Sequence, residues 1–352
     1  MNRVFITLKN EFKLARTAIP IHLVAIIQPT VMYLLMSVIL VHPTFDMYVT
    51  LPNSAGGRLL VEAMSEVGSP IGEPYINPVI IENDQFEGLR QVVSVEGEGE
   101  QINAVQNYGL IDSNIVKNFR NRLTAAGLRV WNGSLGKKAV QIREHPWLSS
   151  DMPYTLYFGM AMLPLSAALA ASIVGGTLTA QEFESGIILE YRLSPTSAWL
   201  VISIRLVRLI LTGLISSLVL LFALRFINNV WPNNLWQIVV VLIPAGIVAG
   251  SLGIIAGLVF QKSIPAFLVG LVFSFVSWLV GSAFGLAAGF SRAYEFVSRL
   301  TTNTHIVELL YPNFFGTGVG MPWYSVLFLL IVSVLMICLS VWAYGLRVQR
   351  QI

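Results

Sequence analysis

The chain has 352 residues, of which 55% are hydrophobic and only 12% charged, with a mean hydropathy of +0.69. Soluble domains carry roughly 25% charged residues, so the composition excludes a soluble enzyme and implies a polytopic membrane protein. The net charge of +3 comes from basic residues that are dispersed and mostly flank apolar runs, which marks them as topology signals rather than as a nucleic-acid patch.

Residues 1–18, MNRVFITLKNEFKLARTA, place Phe5, Leu8, Phe12 and Ala15 at helical spacing, with Arg3, Lys9, Lys13 and Arg16 between them. That pattern predicts an amphipathic helix lying in the membrane interface. No small-residue cleavage site follows, so no cleavable leader is expected. The first span is 19–42, with a kink expected at Pro29.

Residues 43–153 break character, holding 13 of the 19 acids and 9 of the 22 basic residues. About 110 residues suffice for a small domain, and a folded α+β domain is expected there. Within it 89–95 reads as a strand, and 113–128 as an amphipathic helix ending near Gly127. A turn and a further strand are expected over 131–147. Glu96, Glu98 and Glu100 alternate with glycines, which matches no calcium-loop spacing and reads as a solvated acidic loop. The one cysteine, Cys338, lies in an apolar run and allows no internal disulfide.

The second span is 154–176, rich in the small residues that let helices approach in lipid. A polar interruption follows, QEFESGIILEYRLSP (181–195), within a predicted cytoplasmic helix over 177–197 that stops at Pro195. The remaining spans are 198–226, 236–260, 265–290 and 322–345, with a non-spanning segment at 291–321. Arg205 and Arg208 read as interfacial anchors, as do Trp342 and Tyr344. Short segments on the side of the termini carry ten Lys/Arg, counting these two arginines, against three on the other side. The positive-inside rule then puts both termini and 177–197 in the cytoplasm, and 43–153 outside the cell membrane.

No acid lies within these six spans, and His22 is the candidate they offer for ion coupling; it reads as a packing residue. No HExxH and no GxxxxGK[ST] occurs, and Ser282 in GSAFG sits one position early for a nucleophile turn. The chain is expected to catalyse nothing, to bind no metal or cofactor and to draw its energy from a partner.

The E-F-E-S-G-x8-P pattern from Glu182 to Pro195, after Gly175-Gly176-Thr177, resembles the E-x-E-x-G…(T/S)P motif of ABC-2 type permeases, the membrane subunits of type V ABC exporters. Arg205 stands where that family often has a basic residue, and Tyr311-Pro312 is similar to its Asn-Pro. Phe183, Ile187 and the displaced Glu190 depart from the pattern. The resemblance implies an all-α polytopic membrane protein of six transmembrane helices, with an inserted extracellular α+β domain between helices 1 and 2. It implies a homodimer in membrane lipid that binds two P-loop ATPase subunits, with ATP and Mg on the partner and no nucleic acid. Gln181, Glu182, Glu184, Ser185, Gly186, Glu190 and Pro195 would contact the ATPase, the acids through charge-assisted hydrogen bonds. Arg3, Lys9, Lys13, Arg16, Arg205 and Arg208 would support that contact. Uncharged spans suit apolar or amphipathic cargo: lipid, lipopeptide or hydrophobic drug. The other reading is a non-transporting membrane sensor or scaffold with an extracellular ligand-receiving domain.

Overall fold

Among the described residues, six helices are long and apolar enough to cross a membrane. The computed structural model describes residues 18–40, 45–50, 55–68, 74–81, 91–96, 103–108, 113–134, 154–193, 196–281, 283, 292–315 and 322–349. The spanning candidates are α1 (Ile19–Leu40), α4 (Tyr154–Glu184), α6 (Ala198–Asn228), α7 (Leu235–Phe260), α8 (Ser263–Val280) and α11 (Trp323–Tyr344). A short α5 (Ile188–Leu193) joins α4 to α6, α9 (Arg292–Ser298) and α10 (Thr302–Phe315) precede α11, and a π-helical turn, Gly345–Gln349, follows it. The expected N-terminal helix, with Arg3, Lys9, Lys13 and Arg16, lies outside the described residues, as does Pro195.

The contacts divide the chain into two units, residues 39–151 and the remainder. In the smaller unit, β1 (Phe45–Thr50), β2 (Ile76–Ile81), β3 (Gln91–Glu96) and β4 (Asn103–Tyr108) form one sheet in the order β2-β1-β3-β4. β1 runs parallel to β2 and to β3, and β3 pairs antiparallel with β4. A parallel β1–β2 pair needs a crossover, and α2 (Ala55–Ser65) supplies it. Met47, Val49, Ile76, Val93 and Val95 pack with Leu60 and Met64 of α2 and with Ala126 of α3 (Ser113–Ser134). The helix expected to end near Gly127 therefore runs on to Ser134. Leu123, Ala126 and Val130 keep one face on the core at helical spacing, while Gly127 points at open space. The strand expected beyond 134 lies outside the described residues.

In the larger unit α4 is enclosed along its length, packed by α6, α7, α8 and α10. Small residues make this possible. A Cβ on Gly213 of α6 would lie 2.7 Å from the Ala167 carbonyl oxygen of α4, and one on Gly257 of α7 would lie 2.7 Å from that of Gly176. Gly253 meets the Ser172 carbonyl even more closely. Hydrogen bonds between helices then fix the register. Ser172 bonds to the Gly270 carbonyl (3.1 Å) and to Ser274 (2.9 Å), Ser166 to Ser217 (2.8 Å), and the Trp278 indole donates to the Ala161 carbonyl at 2.9 Å. Asn228 at the end of α6 links Tyr33 of α1 (2.5 Å) to Thr155 of α4 (2.9 Å). The outward faces of α1, α8 and α11 leave Leu23, Val31, Leu268, Val272, Leu327 and Val334 exposed, a surface for lipid to cover.

Gly213→Val should lower stability in detergent by about 1–3 kcal/mol or more, because the obstacle is backbone and cannot rotate away. Gly127→Ala, facing open space, should be neutral or raise stability by roughly 0.5–1 kcal/mol. Thermal unfolding of the two variants side by side checks the pair.

Candidate functional site: the turn between α4 and α6

The polar interruption is built differently from the single helix that its sequence predicts. α4 does not stop at 176 but continues to Glu184, so Gln181, Glu182 and Glu184 ride on the end of a membrane helix. Ser185 then bonds back to the Gln181 carbonyl through both its N–H (2.9 Å) and its hydroxyl (2.7 Å). Gly186 takes φ +77° and reverses the chain. A side chain is disfavoured in that left-handed conformation. The N–H groups of Leu189 and Glu190 bond to the carbonyls of Gly186 and Ile187, which starts α5.

Glu182 is only 6% exposed and faces inward. Arg205 of α6, 1% exposed, reaches it with Nη2 at 2.7 Å from both carboxylate oxygens. The same guanidinium lies 5.1 Å from the ring centre of Tyr191 on α5 and 5.5 Å from that of Tyr344 on α11. One cation thus touches α4, α5 and α11 from its place on α6. Two expectations are corrected here. Arg205 is no snorkelling anchor, because a carboxylate and two aromatic faces replace water around it. Tyr344 is no interface anchor either, being 1% exposed over that cation, whereas Trp342 does face outward.

Glu184 is exposed, yet it too has a partner within the chain. Its carboxylate accepts from the Ser263 N–H (2.8 Å) and hydroxyl (2.6 Å), holding the first turn of α8. Arg208 is buried and lines a cleft of about 420 Å³ with Leu178, Gln181, Glu182, Glu184 and Ser185. Ile188 anchors α5 inward, and the π-helical turn after α11 packs on α5. What α5 turns to solvent is Glu190 with Leu189 (55% exposed) and Leu193 (86% exposed). The sequence pattern missed both tyrosines around Arg205. Its one hint was an arginine two turns inside an apolar run, which needs neutralising wherever it lies. Among the described residues no cluster of three potential metal ligands occurs.

Among the described residues, six helices apolar enough to span a membrane, with a buried ion pair where α4 ends and α6 begins, define a multi-pass membrane protein whose polar turn is braced against four of its helices. A family model described as ABC-2 family transporter protein matches residues 42–342, and the chain belongs to that family. It is thus a permease subunit of an ABC transporter, and it associates with that transporter's ATPase subunit. No curated protein matches the chain.

Arg205→Ala, which removes the guanidinium held by both carboxylate oxygens of the buried Glu182, should cost about 3–5 kcal/mol, whereas Arg205→Met combined with Glu182→Leu should recover most of that loss. Equilibrium unfolding in detergent distinguishes the two outcomes.

Proposed function

We propose that the protein is the permease of an ATP-driven exporter, and that the turn from Gln181 to Pro195 carries the force of the ATPase into the membrane. The observation behind this reading is the division of labour in the turn. Two of its three acids, Glu182 and Glu184, are held within the chain by Arg205 and Ser263, and Leu189, Glu190 and Leu193 are left exposed on α5. A mixed apolar and acidic surface of this kind suits a protein partner. The ion pair and its two tyrosines make α5 move with the ends of α4, α6 and α11 rather than as a loose loop. On this reading two permease protomers take two ATPase subunits, which carry ATP and Mg, and closure of those subunits opens a path between the protomers. The basic N-terminal segment, with Arg3, Lys9, Lys13 and Arg16, supports the contact from the side.

The cargo is apolar or amphipathic: lipid, lipopeptide or hydrophobic drug. An apolar cavity of about 780 Å³, walled by Val248, Leu252, Leu268, Val272, Val276 and Met336, supports that class. Its size lies within the usual range for small-molecule pockets.

Leu193→Asp combined with Glu190→Lys should abolish co-purification of a P-loop ATPase from native membranes while leaving the thermal unfolding of the permease unchanged. If the unaltered protein brings down no ATPase, a non-transporting sensor or scaffold becomes the better reading.

The orientation proposed is termini and α5 in the cytoplasm, residues 43–153 outside the cell membrane. With Cys338 replaced by alanine, Leu128→Cys should react with a membrane-impermeant maleimide on intact cells, and Leu193→Cys only after lysis. The reverse pattern would invert the topology.

A further inference from the structure

At the opposite end of α11 from Tyr344 lies a buried polar chain that the transport reading does not use. His305 of α10 is buried, with Phe328 of α11 stacked on its ring at 4.2 Å. Its Nε2 is 2.9 Å from the Arg299 carbonyl oxygen, and its Nδ1 is 2.9 Å from Ser325 Oγ on α11. Ser325 Oγ is in turn 2.8 Å from Glu308 Oε2 on α10, and that oxygen also accepts from the Tyr324 hydroxyl at 3.1 Å. From His305 onward every step crosses between α10 and α11.

Counting hydrogens along it gives a definite result. A carbonyl oxygen only accepts, so Nε2 carries a hydrogen. Ser325 has one hydroxyl hydrogen but stands between two acceptors, Nδ1 and a carboxylate oxygen. If His305 is neutral and Glu308 ionised, that hydrogen fills one gap, and lone pairs face each other across the other. One further proton completes the chain, either on Nδ1, making an imidazolium that donates to Ser325, or on Oε2, making a carboxylic acid that does so.

We infer that His305, Ser325 and Glu308 form a proton-binding site that ties α10 to α11, closed when it holds its proton and short of one link when it does not. The charged and titratable groups around it are few. Glu295 and Arg299 pair with each other at 2.9 Å beside it, and Tyr324 comes from α11. α7 and α8, which also pack on α10, contain no ionisable side chain. Those of α4 are Tyr154, Tyr157 and, at its far end, Glu182 and Glu184. Among the described residues the carboxylate beside the cluster, Glu295, is held by Arg299, and the proton exchanges with solvent through Glu308, whose side chain is 21% exposed. On release the proton passes to water or hydroxide, and the site is left with a neutral imidazole and a carboxylate. α10 also packs on α4, α7 and α8, so the state of this clasp bears on how firmly that end of the bundle is closed. The inference is independent of the exporter reading.

The test uses the whole protein in lipid nanodiscs with ¹⁵N-histidine and ¹³C-glutamate labels, with His305→Gln and Glu308→Gln used to assign the signals. On titration over roughly pH 5 to 9, where imidazole chemistry is read, the acid limb should show one of two states. Either both ring nitrogens of His305 are protonated, or an Nε2–H ring accompanies a protonated Glu308 carboxyl. About one proton should leave the cluster as pH rises. A neutral ring beside an ionised Glu308 throughout the range would overturn the inference. Thermal unfolding supplies a second readout. A group that holds its proton only in the folded state adds stability at low pH and loses it as pH rises. In Glu308→Gln the amide N–H donates to Ser325 without any added proton. The melting-temperature difference between the unaltered protein and this variant should therefore shift against the unaltered protein as pH rises. A difference that stays constant across the range would also overturn the inference.

Discussion

A guanidinium placed two turns into an apolar helix has to be neutralised, and in this protein the solution organises the end of the molecule where the polar turn lies. An unpaired charge at the centre of a bilayer costs about 2.5–3.5 kcal/mol on insertion scales. Arg205 meets that cost with Glu182 and two tyrosine faces. Those three partners come from α4, α5 and α11, so neutralising one charge also defines where those elements end relative to one another. The pair adds little net stability over a hydrophobic replacement, but removing one partner is costly. Its value is geometric: it specifies one arrangement of the turn.

The enclosed α4 is the second constraint, and it works through absence of bulk. Gly213, Gly253 and Gly257 let backbones come within contact distance of α4, close enough for serine hydroxyls to bond to carbonyls and hydroxyls on neighbouring helices. In lipid, apolar side chains gain nothing by leaving the bilayer for a helix interface, so close backbone approach and such hydrogen bonds carry the association. A helix with no lipid face can transmit a displacement of its Glu184 end to the helices around it. The outer helices α1, α8 and α11 keep bulky aliphatic faces turned outward.

Much of this architecture was legible from the chain. Hydropathy, with a bilayer as yardstick, marked out six spans, and six helices of that kind stand among the described residues; it also set 43–153 apart as a segment of another kind, where a four-stranded sheet and two helices stand. Residues 181–195 stood out because acids are rare elsewhere in the second half. The misjudged features have physical reasons. α4 outlasts its apolar run because Glu182 and Glu184 find partners that a hydropathy window does not register. α3 outlasts Gly127 because a glycine on a solvent-facing side costs a helix too little to end it. His305 read as one residue of a non-spanning segment, since its partners Ser325 and Arg299 are distant in sequence or are backbone.

The sequence by itself determined the solvent this protein lives in, which segments are apolar enough to span it and the place of its polar turn, because these depend on sums over neighbouring residues. Only the tertiary structure decided which polar groups face one another: Glu182 with Arg205, Glu184 with Ser263, His305 with Ser325 and Glu308. Those pairings depend on how helices far apart in the chain cross. Crossings are set by small residues whose effect is the distance they permit, a quantity that appears only once two helices meet.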